Sequence, residues 1–196
     1  IQHAEDAELS KDGMINDGII ATKLGLQGIP ISAELLIIER DLTLLEYNNC
    51  RYHIAQISSA NSVDIIRERK NKVNFSCGVS INNLSLNEND IGDFKTFLKL
   101  SPPLRTETDR NALVQGLNDK TIDVIVSDHK PEDEENKRLT FAQAETGASG
   151  IETLLPLSLE LYHNGSVELE TIIKALTSKP AEILKINKGN LSIGND

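Results

Sequence analysis

Two stretches of this chain bring together side chains that can do chemistry. The first runs from Thr121 to Pro156. Ile122, Val124, Ile125 and Val126 make a short, mostly β-branched apolar run, the pattern of a buried parallel strand. It ends at Asp128-His129, two residues suited to proton transfer or metal binding. A strand that breaks into a loop at an acid is how a β/α barrel presents a carboxylate at its C-terminal rim. The plainer alternative has Asp128 capping the next element and His129 solvated in a loop. The second stretch is Ile1 to Lys11, where His3 stands near Glu5, Asp6 and Glu8. Those residues can ligate a metal, or they can form an ordinary polar loop.

Regular elements must hold these residues. The spacing predicts a helix over Ile15–Leu26, then punctuation from Gly25 to Pro30. Leu35, Leu36, Ile38, Leu42 and Leu45 recur at helical spacing, with Ser32 as the N-cap. Tyr47 to Cys50 reads as a turn, Arg51–Ser58 as a strand, and Asn61–Lys72 as a helix capped by Asn61 or Ser62. Val73–Val79 is a third strand with Val73, Phe75 and Cys77 on one face. Ser80–Asp93 reads as a long loop. Phe97–Leu100 is an apolar stub before Ser101-Pro-Pro-Leu-Arg105, where two prolines forbid a regular element. Helices follow over Thr108–Leu117, Gly150–His163, Val167–Leu176 and Lys179–Leu184, the first of them before the Thr121–Ser127 strand.

This alternation is the signature of an α/β fold with a parallel sheet. No Gly-x-Gly-x-x-Gly and no phosphate-loop sequence is present, so a nucleotide-binding fold lacks its defining loop. Repeated strand–loop–helix units with polar residues after each strand look like part of a (β/α)8 barrel. A whole barrel takes about 250 residues, and 196 residues arranged this way cover about half of its units. The chain starts at Ile1 and stops in mid-pattern at Asp196, which predicts a piece of a longer protein.

Composition narrows the partners. Charged residues make up 26% and apolar residues 39%, as in soluble globular domains. A net charge of −10 argues against nucleic acid and anionic membranes. No apolar stretch reaches the roughly 18 residues of a membrane span. Cys50 and Cys77 share no short-range pairing motif, which fits two reduced thiols and a cytoplasmic protein.

Several islands, in order, resemble the C-terminal portion of the dihydroorotases, members of the amidohydrolase superfamily. His3-Ala-Glu-Asp6 is similar to the family's H-x-E-D after barrel strand 5. Gly28-Ile-Pro-Ile-Ser-Ala-Glu34 resembles G-x-P-x-x-A-E, and Tyr52 to Ser58 falls at strand 6. Ser101-Pro-Pro-Leu-Arg105 with Asp109-Arg110 resembles N-P-P-L-R…D-R. Ile122 to His129 is similar to the strand-8 motif, and Gly147-Ala-Ser-Gly-Ile-Glu152 to G-x-x-G-L-E. Ser178 to Glu182 and Gly189 to Gly194 resemble the tail that leads back to a small β domain.

The resemblance implies half of a TIM-type metal-dependent hydrolase barrel over residues 1–186, about strands 5–8, and the start of a return to a β-sandwich over 187–196. It implies reversible hydrolysis of dihydroorotate to N-carbamoyl-aspartate, with one or two Zn²⁺ ions in the complete site. Asp128 takes the place of the general base and of a metal ligand, and His3 that of the strand-5 metal histidine. Ser101, Asn82 and Gly147 take the places of substrate contacts. The implied partners are a homodimer or aspartate carbamoyltransferase. Departures accompany the match. The strand-6 metal histidine falls at Gln56, and His53, three residues earlier, points to the opposite face. The family's P-H-H-L reads Ile81-Asn-Asn-Leu84, its loop asparagine is Ser101, and the histidine four residues after the strand-8 acid is Glu132. The Phe before Gly147 is Thr146. These leave three readings: a divergent active enzyme, a catalytically impaired subunit beside the transferase, and a cyclic amidohydrolase for another ring. A half barrel by itself is expected to be inactive and to expose two sheet edges.

Overall fold

The computed structural model describes residues 1–48, 50–191 and 193. The chain enters beside the main sheet, where Gln2 bridges Ile54 in parallel. A small parallel pair follows, β1 (Ile15–Asn16) and β2 (Gly28–Ile29), joined by α1 (Ile19–Leu24). The expected helix over 15–26 is therefore split. A strand of two residues is too short to leave a period-2 signal, and Ile15 is 1% exposed because it packs under loops from elsewhere in the chain.

α2 (Ile31–Tyr47) starts directly after Pro30, which occupies the cap position expected for Ser32. Proline has no N–H to leave open there, and its fixed φ suits the entry. The helix buries Ala33, Ile37, Ile38, Leu42 and Leu45 against the sheet. Each fully buried side chain of this size contributes roughly 1.5–3 kcal/mol. Within the turn expected after it, Asn49 lies outside the described residues. β3 (His53–Ile54) then leads to α3 (Ala60–Arg69). Ser59, two or three residues before the expected caps, accepts from Ser62 N.

β4 (Ser76–Ser80) runs straight into α4 (Ile81–Ser85), and a 3-10 turn follows at Glu88–Ile91. The expected long loop is thus mostly ordered, because Ser80 and Asn87 each cap a short helix with their side chains. The expected stub contains a second 3-10 turn, Thr96–Leu98. α5 (Glu107–Asn118) opens with a capping box between Thr106 and Asp109. The same Asp109 carboxylate accepts from Ala60 N at 2.8 Å, tying the start of α3 to that of α5. β5 (Val124–Val126) completes the sheet. α6 (Glu134–Lys137), α7 (Ile151–His163), α8 (Leu169–Leu176) and α9 (Ser178–Leu184) follow.

The main sheet is parallel in the order β3-β4-β5, with Gln2 beyond β3. Space order equals chain order, as in the staves of a barrel. His53 sits opposite Ser76, and Val79 opposite Ile125. The core fills the space between this sheet and its covering helices, with Ile38, Leu42, Ile54, Ile57, Val63, Ile66, Cys77 and Val79 all fully buried. A second cluster of Ile15, Ala21, Ile91, Leu100, Leu104 and Phe141 supports the loops at one end. In the tail read as leading to a β domain, Ser192 and residues 194–196 lie outside the described residues.

Candidate active site

Parallel strands in one order align their C-terminal ends, so the residues that follow them share one rim. His3 follows the Gln2 bridge, Gln56 follows β3, Asn82 opens α4 beyond β4, and Asp128 follows β5. His53 makes its bond at the other end of β3, from Nδ1 to Ser76 Oγ at 2.8 Å. It therefore stays apart from the rim group, as its spacing from Gln56 requires.

Asp128 is half-buried and adopts a left-handed φ of 50°. Gln56 Nε2 donates to Asp128 Oδ1 at 2.8 Å across 72 residues of sequence. The reverse orientation would set two oxygens against each other, so the amide can sit only this way. Gln56 Oε1 is left buried with no partner. Across the rim, His3 Nε2 lies 3.1 Å from Ser101 Oγ and 3.7 Å from Glu5 Oε2. The Glu5 carboxylate beside the ring raises the His3 pKa above the ordinary histidine value; burial opposes this, and the Glu34 and Asp128 charges add to it. The same contact with His3 lowers the pKa of Glu5. Ser101 Oγ also donates to Glu5 Oε2 at 3.4 Å, and the Ser101–Pro102 peptide is cis. Of the sequence-predicted residues, Asp128 thus contacts Gln56, and His3 contacts Glu5 and Ser101.

A buried ionic network lies beneath. Glu34 is 3% exposed and accepts from Ser58 N at 3.1 Å, from Ser59 Oγ at 3.4 Å, and from the Ser58 and Ser62 hydroxyls. Arg105, also 3% exposed, donates to Ser58 Oγ at 3.1 Å, Asn16 Oδ1 at 2.8 Å and Ile29 O at 2.6 Å. Asn16 Nδ2 passes the chain on to Glu88 Oε2 at 2.6 Å. Burial lowers the Arg105 pKa, while Glu34, Asp109, Glu5 and Glu88 favour its charge. Arg105 in this way joins the Ser101–Arg105 loop to both sheets. Asn83 Nδ2 reaches Pro103 O at 3.0 Å, while buried Asn82 Nδ2 has no partner.

The loop after α6 depends on two lysines that sequence reading missed. Lys99 Nζ donates to Phe141 O, Ala142 O and Ala144 O at 2.8–3.1 Å, and Lys137 Nζ to Glu145 O and Gly147 O at 2.7 Å. They are 8% and 2% exposed, and burial lowers both pKa values. In sequence both look like surface lysines; their carbonyl partners lie in a loop without periodicity. Gly147, with φ of 140°, gives its own N–H to Lys99 O at 2.9 Å. A Cβ at Gly147 would stand 2.4 Å from Lys130 O, so no other residue fits. His129 is exposed, and its Nδ1 accepts from Gly150 N at 3.1 Å and Ile151 N at 3.4 Å. Through this nitrogen His129 caps the start of α7.

His3 and Asp128 are the rim donors suited to a metal. Among the described residues, no group of three or more His, Cys, Asp or Glu side chains is placed to hold one. Gln56 turns its N–H toward Asp128, so it offers that space a proton rather than a lone pair. The described residues alone do not fit a zinc centre. Among the described residues, no helix is long and apolar enough to cross a membrane.

A parallel sheet with its polar residues gathered on the C-terminal rim is the architecture of part of a TIM-type barrel. The chain matches the Amidohydrolase family over residues 3–196 and belongs to it. That family generally uses divalent metals such as zinc. The dihydroorotase of Ehrlichia canis is 44% identical over 195 residues, covering 98% of this chain and 44% of that protein. The dihydroorotase of Anaplasma phagocytophilum is 43% identical, again over 98% of this chain and 44% of its own length. The chain therefore spans less than half the length of these relatives. Among solved structures, the L-hydantoinase (dihydropyrimidinase) of Arthrobacter aurescens superposes with a TM-score of 0.85 at 25% identity, over 99% of this chain and 45% of that one. The dihydropyrimidinase of Brevibacillus agri, at 22% identity and the same TM-score, shares the fold over 99% of this chain and 45% of its own.

Proposed function

We propose that this chain is the C-terminal half of a dihydroorotase barrel, residues 1–186, followed by the first residues of a return to a small β domain. The reaction is reversible hydrolysis of dihydroorotate to N-carbamoyl-aspartate in pyrimidine synthesis. The observation that carries this reading is the position of Asp128. It follows the last strand of the sheet on the rim shared with His3, its carboxylate held by Gln56. As general base, Asp128 takes a proton from the attacking water. It returns that proton to the ring nitrogen as the C–N bond breaks. Ser101, Asn82 and Gly147 line the substrate side. Asn82 stands beyond the end of β4 in the first turn of α4, whereas Gly147 serves through its backbone shape. A zinc ion would draw on His3 and Asp128 together with donors outside this chain. The medium is the cytoplasm.

The test is hydrolysis of dihydroorotate at pH 8 and cyclisation of carbamoyl-aspartate at pH 6 by the natural full-length polypeptide. Asp128→Asn is expected to abolish turnover and leave the circular dichroism spectrum unchanged. Activity that survives this change refutes the assignment.

One observation favours a second reading, a catalytically impaired subunit beside aspartate carbamoyltransferase. Gln56 supplies an amide where a third metal donor is needed. A full-length protein without zinc or turnover that co-purifies with the transferase supports it, and a zinc-loaded active homodimer excludes it.

A further inference from the structure

Asp128 and His129 are neighbours in sequence but face different partners. We propose that His129 is a positioning residue for Asp128. It seats the turn after β5 on the first turn of α7 as a hydrogen-bond acceptor through Nδ1. This rests on the reading of Asp128 as general base.

The helix supplies the need. α7 has 13 residues, its N-cap is Gly150, and no cap side chain accepts from its first amides. Such N–H groups require an acceptor. His129, 21 residues away, brings Nδ1 to 3.1 Å from Gly150 N and 3.4 Å from Ile151 N. A ring nitrogen that accepts carries no proton and spends its lone pair on the bond. Nδ1 is thereby closed to a metal and to a substrate proton.

The backbone tightens the same contact. His129 bridges Ala148 in parallel, and Lys130 N donates to Ala148 O at 2.9 Å. Ser127 O packs so closely on Gly150 that a Cβ there would stand 2.1 Å away. Residues 127, 129 and 130 are all pinned to 148–151. Asp128 stands between them in the left-handed region at φ 50°, where a residue with a side chain stays only when its neighbours hold it. Gln56 then catches the carboxylate from the opposite side. His129 locates the backbone of the acid, and Gln56 locates its oxygens.

Three variants of the natural full-length polypeptide separate this role from a catalytic one. His129→Ala removes the acceptor. His129→Asn restores it, because Asn Oδ1 falls near the place of Nδ1. His129→Gln carries its amide one bond too far. A base displaced by about 1 Å loses about a hundredfold in rate. The expected result is a fall in kcat of about tenfold or more for Ala and Gln, with KM within about twofold, and near wild-type kcat for Asn. Hydrogen exchange at Gly150 and Ile151 should quicken in Ala and Gln only. The Gln56 side-chain amide resonance, which reports the bond to Asp128, should shift in the same two variants.

An Asn variant as impaired as Ala in these measurements, or an Ala variant with unchanged exchange and an unchanged Gln56 resonance, overturns the proposal. Asp128→Asn run in parallel isolates the premise. Turnover retained by that variant refutes the base reading, while exchange and the Gln56 resonance still decide whether His129 positions the residue. If Asp128→Asn is dead and His129→Ala has wild-type kcat, only the positioning role fails.

Discussion

Removing Glu34 tests the buried network that holds the Ser101–Arg105 loop in place. In Glu34→Ala, four donors lose their acceptor: Ser58 N and the hydroxyls of Ser58, Ser59 and Ser62. Arg105, joined to Glu34 through Ser58 Oγ, loses the largest nearby charge that favours its own. An unsatisfied buried donor costs about 1–3 kcal/mol. Water entering the truncated space and rotation of three hydroxyls recover part of that sum. With four donors affected and part of the cost recovered, the expected loss is about 2–4 kcal/mol. Glu34→Gln keeps the volume and one acceptor oxygen, and is expected to cost about 1–2 kcal/mol. The assay is urea unfolding of the full-length polypeptide followed by circular dichroism, with the slope compared among variants. A Glu34→Ala loss below about 1 kcal/mol, or a Gln variant as damaged as Ala, would refute the idea that this carboxylate organises its four donors.

Three further outcomes follow from the same structure. Gly147→Ala puts a methyl against Lys130 O and a side chain at φ 140°; it should lower stability by about 1–3 kcal/mol or more in the same unfolding assay, and an unchanged midpoint would contradict the geometry. Burial pushes the Cys77 thiol up to about 12, so at pH 8 an alkylating reagent should label exposed Cys50 and spare Cys77 until the chain unfolds, as read by peptide mass. The pKa of His3 is raised above its ordinary value because the Glu5 carboxylate stands beside its ring, so the stabilisation from this pair is complete below about pH 6.5 and is lost as pH rises through the raised native pKa. In Glu5→Gln the His3 ring resonance should titrate at lower pH than in the wild type, and coincident curves would remove Glu5 as the cause.

Much of the frame is legible in single stretches. The β-branched run Val124–Val126, with Ile122 before it, states a buried strand because a strand covered on both faces reads as a near-continuous apolar run. The helical spacing from Leu35 to Leu45 states α2, and the alternation of such segments states a parallel α/β sheet. Where local signals are shorter, they mislead. Ile15–Asn16 reads as helix because two residues cannot display a strand period. Ser32 looks like a cap because cap preference carries no information about where the preceding proline has already turned the chain.

The amino-acid sequence by itself determined the class of fold, the family islands and the place of Asp128 at the end of a strand, since these rest on residue types and short spacings. Tertiary structure alone decided what those residues touch. Gln56 meets Asp128 across 72 positions because β3, β4 and β5 align in register. Lys99 and Lys137 are buried because loop carbonyls with no sequence signature surround their ammonium groups. His129 Nδ1 is an acceptor because the N-cap of α7 is Gly150, which has no side chain to take the first amides. Each of these is a pairing between distant segments, and no pattern within either segment encodes its partner.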